Sequence, residues 1–167
     1  NDDGIASDGI LALAEAVSPI GDVWVVAPDR NQSAMSHALT LGTPLRVKRN
    51  SEQVFACSGT PTDCVFMAVL HLLPRAPDLV VSGINHGPNL GDDVSYSGTV
   101  SAALEAAIMG IPGIAFSHVG QGKWDFRDGE RFARQISERV LLEGLPRKSY
   151  LNVNFPDVPR GATTGVE

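Results

Sequence analysis

The sequence predicts a single α/β domain, a three-layer α/β/α sandwich whose mostly parallel sheet carries a small antiparallel excursion. Short valine-rich runs, such as 23–27 and 79–82, have the length and composition of strands that are buried on both faces of a parallel sheet. Segments with helical periodicity lie between these runs. The 167 residues are 43% hydrophobic, which is enough for the core of one domain spanning 1–167.

The predicted elements alternate along the chain. Helical periodicity predicts helices over 8–17 and 100–109 and an amphipathic helix within 124–142. Thr60, Pro61 and Asp63 form a capping pattern for a further helix, which we expect to reach residue 73. The remaining predicted strands cover 39–41, 45–48, 54–57, 114–117 and 150–155, and the first three of these form the antiparallel excursion.

Polar loops follow the predicted strands. They cover 1–4, 29–36, 58–63 and the long, glycine-rich run 82–99. A loop of that last length is usually functional or disordered. Ligands of open α/β sheets bind outside the carboxyl ends of the strands, so we expect these loops to share one rim that holds the functional site.

Composition narrows the possible partners and the cell compartment. The net charge is −6, the pI is about 5.1, and lysine and arginine are scattered, so neither a nucleic-acid polymer nor an anionic membrane is an expected partner. No apolar run is long enough to span a membrane and no signal-peptide pattern is visible, which makes the cytoplasm the expected location. Cys57 and Cys64 do not form a CxxC pair and are interpreted as buried thiols.

Oxygen ligands for a hard cation occur in three of the loops. Asp2 and Asp3 are adjacent carboxylates, and Mg²⁺ and Mn²⁺ prefer carboxylate, carbonyl and water oxygens. Ser33 and Asn85 would add a hydroxyl and an amide oxygen. Each residue also has an ordinary structural interpretation: Asp2 as a helix cap, Asp3 as a solvated carboxylate, and Ser33 and Asn85 as turn residues.

An anion site is indicated by Ser97, Gly98 and Thr99, which directly precede a predicted helix. Free amides at a helix N-terminus bind phosphate well, although an N-cap alone explains the same residues. Neither GxxxxGK[ST] nor GxGxxG after a strand occurs, so a P-loop and a dinucleotide fold are poorly supported. His86 lies in the same long loop. Its role there is open between a general acid, a substrate contact and a loop residue without a functional role.

Five motifs together resemble the SurE (stationary-phase survival protein) family. They are NDDG at 1–4, APDRNQS at 27–33, SGTPTDC at 58–64, SGINHGPN at 82–89 and SGTVSAALE at 97–105, and LNVNFP at 151–156 is similar to a later strand of that family. Each motif alone is modest, whereas all of them in this order are highly specific. The resemblance implies a Rossmann-like sheet and covers nearly the whole chain.

The resemblance also implies an activity. SurE proteins are metal-dependent phosphomonoesterases, 5′-nucleotidases that hydrolyse nucleoside 5′- and 3′-monophosphates, and some trim short polyphosphate. The matching metal ligands here are Asp2, Asp3, Ser33 and Asn85, for one Mg²⁺ or Mn²⁺ per subunit. The phosphate pocket would comprise Ser97, Gly98 and Thr99 with Asn89 nearby, and family members are usually homodimers or homotetramers.

The chain differs from the family pattern at both ends. A first strand of about five or six residues is expected before Asn1. The stretch 157–167 shows no pattern, where the family continues into a C-terminal extension that takes part in assembly.

The expected mechanism is attack by water on the phosphorus, with Asp2 or Asp3 as the catalytic carboxylate that orients or deprotonates that water. Direct attack by a carboxylate is the alternative. A haloacid-dehalogenase-type phosphatase would need its aspartates at i and i+2, whereas Asp2 and Asp3 are adjacent. A non-catalytic nucleotide-binding module is the other competing hypothesis, and it would release no phosphate.

Overall fold

The computed structural model describes residues 1–120 and 124–158, together with residues 162 and 165. Most of the stretch 157–167 therefore lies outside the described residues. Within them the helices are α1 (Asp8–Val17), α2 (Pro61–Met67), α3 (Gly98–Ile108) and α4 (Arg127–Glu143). The strands are β1 (Val25–Pro28), β2 (Val47–Ser51), β3 (Val54–Cys57), β4 (Val80–His86), β5 (Gly113–Val119) and β6 (Tyr150–Pro156).

The strands of the described ranges form two three-stranded sheets, ordered β1-β3-β2 and β4-β5-β6. β1 runs parallel to β3, and β4, β5 and β6 are parallel to one another. β2 is antiparallel to β3, which confirms the antiparallel excursion. The mostly parallel α/β/α fold is confirmed, but β1 and β4 each keep one edge without a hydrogen-bonded neighbour in this part of the chain.

Helices cover both faces of the β4-β5-β6 sheet. Ile114 and Phe116 of β5 pack in one core cluster with residues of α1 and α4, whereas Ala115 packs against Val100 and Ala103 of α3. This alternation follows from the two-residue period of side chains along a strand. Phe132 and Val140 lie in the α4 face that faces the sheet, as the amphipathic pattern predicts.

Side-chain caps explain two features near the start of α2. Thr60 accepts a hydrogen bond from the Asp63 amide and Asp63 accepts one from the Thr60 amide, so the predicted capping box is confirmed. The predicted strand over 39–41 is wrong. The backbone amide and the hydroxyl of Thr40 instead donate to the Asp63 carboxylate, at 3.0 and 2.6 Å, which fixes that segment outside either sheet.

The end of the second helix and the state of the two cysteines agree with the sequence predictions. After Met67 the helix continues as a π-helical turn over Ala68–Leu72, close to the expected end at residue 73. Cys57 and Cys64 are buried free thiols. In the described ranges no helix has the length and hydropathy required to cross a membrane.

Candidate metal and phosphate site

The N-terminal loop lies between the carboxyl ends of β1 and β4. The Ile5 amide donates to the Pro28 carbonyl at 2.8 Å, and the Gln32 amide donates to the Asp2 carbonyl at 2.7 Å. On the other side, the His86 amide at the end of β4 approaches Asp3 Oδ2 at 3.4 Å. The loops after two strands and the N-terminal loop therefore form one rim, as the parallel topology predicts.

Thr99 connects two of the predicted metal ligands. Its hydroxyl donates to Asp2 Oδ1 at 2.7 Å and lies 3.4 Å from Asn85 Oδ1. Thr99 is fully buried and Asp2 is 5% exposed. The hydroxyl thus fixes a carboxylate and an amide oxygen beside each other, although Asp2 and Thr99 are 97 residues apart in the chain.

Gly98 allows α3 to approach Asp2 closely. A Cβ atom at this position would lie 2.9 Å from Asp2 Cβ and 2.9 Å from Pro61 Cγ, distances that a real Cβ does not tolerate. Glycine is therefore required here by space, because the first turn of α3 packs directly against the Asp2 side chain.

Asp3 is held by a histidine. His86 Nδ1 lies 2.9 Å from Asp3 Oδ2, and the histidine ring packs edge-on against Trp124 and Phe126, with ring centroids 5.0 and 5.3 Å apart. The side chain of Asp3 keeps 18% of its surface exposed. Asp3 is consequently the carboxylate that faces the open side of the rim, whereas Asp2 is enclosed.

Ser33 lies near these groups without touching them. Its amide donates to Asn31 Oδ1 at 2.8 Å in a local turn, and the neighbouring Gln32 provides the bond to Asp2. Ser33 is exposed. The structure thus places the Ser33 loop beside the carboxylates but records no hydrogen bond from its hydroxyl to them.

The predicted phosphate residues divide into two groups. Ser97 caps α3, because its Oγ accepts a hydrogen bond from the Val100 amide at 3.1 Å. Asn89 is 5% exposed and is hydrogen-bonded to both β5 and β6. Its Nδ2 donates to Ser117 Oγ at 2.7 Å, and its backbone carbonyl accepts from Asn152 Nδ2 at 2.8 Å. Asn89 is therefore fixed by β5 and β6, while Ser97 lies with Gly98 and Thr99 at the start of α3.

Comparison with known proteins decides the family. The sequence model of the family described as "Survival protein SurE" matches residues 1–167. The chain belongs to the SurE family. Its fold agrees with the crystal structure of the SurE protein from Aquifex aeolicus, with a TM-score of 0.90 and 48% identity, over 95% of this chain and 64% of that one.

Curated SurE relatives are similar throughout the aligned region. The chain is 56% identical over 157 residues to the 5'-nucleotidase SurE of Myxococcus xanthus, covering 93% of this chain and 60% of the relative. It is 57% identical over 160 residues to the 5'-nucleotidase SurE of Geobacter sulfurreducens, covering 95% and 61%. The chain thus spans 60 and 61% of the length of these two relatives.

The donor set of the SurE rim fits a hard divalent cation. In the described part of the chain, no group of three or more His, Cys, Asp or Glu side chains is placed to hold a metal ion. Asp2 and Asp3 instead combine with the neutral oxygen of Asn85, and no lysine or arginine forms an ion pair with either carboxylate in these ranges. Two adjacent carboxylates with no lysine or arginine partner suit a hard divalent cation.

Sequence reasoning missed two contacts in this site. It treated Thr99 as a phosphate contact and did not predict that its hydroxyl binds Asp2. It also left the role of His86 open and did not predict its contact with Asp3. A hydroxyl at the second position of a helix gives no sequence signal for a partner in another loop, because such a contact depends on how α3 packs.

Proposed function

We propose that this SurE chain carries the site of a metal-dependent phosphomonoesterase, a 5′-nucleotidase that hydrolyses nucleoside 5′- and 3′-monophosphates, with short polyphosphate as a further substrate. The observation that carries the proposal is that the Asp2 carboxylate and the Asn85 amide oxygen meet at the Thr99 hydroxyl in the first turn of α3, while the Asp3 carboxylate lies against His86, the residue after Asn85. The names of the Myxococcus and Geobacter relatives support the 5′-nucleotidase part of this proposal.

Asp2, Asp3, Asn85 and Ser33 are the residues proposed to hold one divalent cation. Asp2 is fixed by Thr99 and Asp3 by His86, and Ser33 lies in the exposed loop that follows β1. The cation, when bound, supplies positive charge against the phosphate oxygens, and Mg²⁺ or Mn²⁺ suits this all-oxygen set.

The first turn of α3 is proposed to bind the phosphate. The amides at a helix N-terminus point toward an anion and carry the positive end of the helix dipole. Ser97, Gly98 and Thr99 form this turn and adjoin Asp2. Asn89 would complete the pocket with the polar atoms that do not form its hydrogen bonds to β5 and β6.

Asp3 is the better candidate for the catalytic carboxylate. Asp2 is enclosed and one of its oxygens accepts from Thr99, so it is suited to a fixed ligand role. Asp3 retains access to the open side, where it would orient or deprotonate the attacking water. His86 would hold the Asp3 carboxylate in position for this step.

We further propose that residues 1–167 form one phosphatase domain of a cytoplasmic protein that works as a homodimer or homotetramer. The net charge of −6 supports a small nucleotide as substrate rather than a nucleic-acid polymer or a membrane, because the chain lacks long-range attraction for polyanions.

Phosphate release from AMP and GMP tests the proposed activity. The assay is run first with EDTA and then with Mn²⁺ or Mg²⁺ added in excess. We expect release to be lost on chelation and restored by metal. A folded protein that binds AMP but releases no phosphate under any metal would indicate a binding module instead. Release that persists in EDTA would contradict the metal site.

A further inference from the structure

The loop that contains Ser33 is held by a backbone hydrogen bond on each side of that residue. Before it, the Gln32 amide donates to the Asp2 carbonyl at 2.7 Å, and after it, the Ser36 amide donates to the Tyr96 carbonyl at 3.1 Å. Only two residues separate Ser33 from Ser36 in the chain. The place of Ser33 beside Asp2 therefore depends on where Ser36 and the residues that follow it are held.

The backbone directly after Ser33 adopts a conformation that its residues do not favour. Ala34 and Ser36 have φ angles of 61° and 53°, in the left-handed region that residues with a side chain rarely occupy. Residues in such a conformation persist only where the surrounding contacts hold them there. The contacts of residues 36–40, which we call the anchor segment, meet this requirement.

A histidine of the anchor segment bonds to a buried carboxylate of α3. His37 Nε2 lies 2.8 Å from Glu105 Oε2, and this is the one side-chain hydrogen bond recorded for Glu105 among the described residues. Glu105 is 7% exposed, whereas the His37 side chain keeps 33% of its surface exposed. A buried carboxylate without a donor is costly, so Glu105 fixes the place that His37 must take.

The same helix holds two parts of the candidate cation site. In its first turn, the Thr99 hydroxyl donates to Asp2 Oδ1 at 2.7 Å. Six residues further along, about 9 Å along the helix axis, Glu105 holds His37. The Asp2 carboxylate and the loop that contains Ser33 are therefore both placed relative to α3.

We propose that His37 and Glu105 are positioning residues of the cation site. Their contact holds the anchor segment on α3 and so keeps Ser33 beside Asp2, in the place from which its hydroxyl can act as a ligand. Neither residue touches the cation or the substrate. This inference rests on the proposed function, because it takes Ser33 as one of the proposed ligands.

Two substitutions of His37 test the proposal through the dissociation constant of Mn²⁺, measured by calorimetric titration. The side-chain amide of glutamine reaches about as far as histidine Nε2 and can donate to Glu105, whereas that of asparagine is one methylene shorter. We expect His37→Asn to raise the dissociation constant by at least about tenfold and His37→Gln to restore a value close to that of the parent. Phosphate release lost in His37→Asn should return when Mn²⁺ is raised above the new dissociation constant.

A double-mutant cycle tests whether the pair acts through Ser33. Ser33→Ala removes the hydroxyl that the pair is proposed to position, so adding His37→Asn to it should cause little further loss of Mn²⁺ affinity. A full tenfold loss in both backgrounds would overturn the proposal. Val140→Ala, in the core beneath α4, is the control for lowered stability alone, and it should leave the dissociation constant unchanged.

Glu105→Ala removes the acceptor instead of the donor and should reproduce the loss of Mn²⁺ affinity seen in His37→Asn. It decides the matter if His37→Asn does not fold. A folded variant of either kind that binds Mn²⁺ as tightly as the parent would overturn this inference and leave the proposed function standing. A folded parent that binds no Mn²⁺ would overturn the proposed cation site itself, and this inference with it.

Discussion

Thr99 joins the two sides of the candidate site through one buried hydroxyl. It donates to Asp2 Oδ1 and lies within 3.4 Å of Asn85 Oδ1. Replacing threonine by valine keeps the shape but leaves the buried Asp2 carboxylate without this donor. We expect Thr99→Val to lower the free energy of unfolding by about 1–3 kcal/mol, measured by urea denaturation. Thr99→Ser, which restores the hydroxyl, is the matched control and should recover most of the loss. Equal losses in both variants would mean that the methyl group matters instead.

Asp3 provides the most direct test of the proposed metal site and its chemistry. Asparagine keeps the size of the side chain and can still bond to His86, but it removes the negative charge that a cation requires. Asp3→Asn is expected to abolish phosphate release and weaken Mn²⁺ binding, measured by calorimetric titration, with the fold retained in circular dichroism. Asp92→Asn, in an exposed 3₁₀ turn, is the control and should behave as the parent. Near-normal activity of Asp3→Asn would remove Asp3 from the site.

Gly98 tests the close approach of α3 to Asp2. A methyl group there would meet Asp2 Cβ and Pro61 Cγ at 2.9 Å, so one of the three elements must shift. We expect Gly98→Ala to cost about 1–3 kcal/mol of stability and to weaken metal binding, because Asp2 is displaced. Gly42→Ala is the control, since nothing lies within 4 Å of the position that its methyl group would take. An unchanged metal affinity in Gly98→Ala would contradict the expected displacement of a ligating Asp2.

At the scale of residues, the sequence predicted the loops that share the rim but not the contacts that hold Asp2 and Asp3. Asp2, Asp3 and Asn85 follow from the rule that parallel strands end at one rim. The partners Thr99 and His86 were not predicted, because they depend on the depth to which α3 packs and on where β4 ends. The participation of Ser33 remains a prediction, since its loop is beside Asp2 but its hydroxyl makes no recorded contact.

At the scale of elements, caps and periodicity predicted helix positions well. α1 covers the predicted range 8–17, and α2 begins at the capping box. Strand limits were less accurate: β4 extends four residues past its predicted end at Ser82, to His86, by pairing with β5 up to His118. Such pairing is set by the neighbouring strand, which local sequence does not contain. The predicted strand over 39–41 was wrong for a similar reason, because the carboxylate of Asp63, 23 residues away in the chain, holds Thr40.

The α1–α4 interface gives a pH-dependent prediction. Burial, with the neighbouring Glu15 and Asp125, raises the pKa of Glu130 on α4. A carboxyl whose pKa is higher in the folded state costs stability once pH exceeds its unfolded value, near 4.5. Glu130→Gln should therefore raise the free energy of unfolding slightly at pH 7, by up to about 0.5 kcal/mol in urea denaturation, and lose this advantage below pH 4.5. Glu52→Gln, on an exposed turn, is the control. A gain that persists in acid would assign the effect to something other than charge.

At the scale of the whole molecule, the candidate cation site spans the gap between the two sheets. Ser33 follows β1 of one sheet, Asn85 belongs to β4 of the other, and Asp2 and Asp3 bond to both sides through Gln32 and His86. One cation bound by these residues would link two sheets that share no strand ladder in the described structure. Metal binding should therefore stabilise the whole fold and not only the rim.

Thermal unfolding with and without metal tests this link. A ligand at 100 times its dissociation constant adds about 2.7 kcal/mol to the stability of the folded state, which for a domain of this size raises the midpoint by roughly 5 to 10 °C. We expect Mn²⁺ to produce such a shift in the parent and in Asp92→Asn, and little shift in Asp3→Asn. Hydrogen exchange at β3 and at β5 should slow together when metal is added. Slowing confined to β5 would mean that the cation contacts only one sheet, and Ser33 would then not be a ligand.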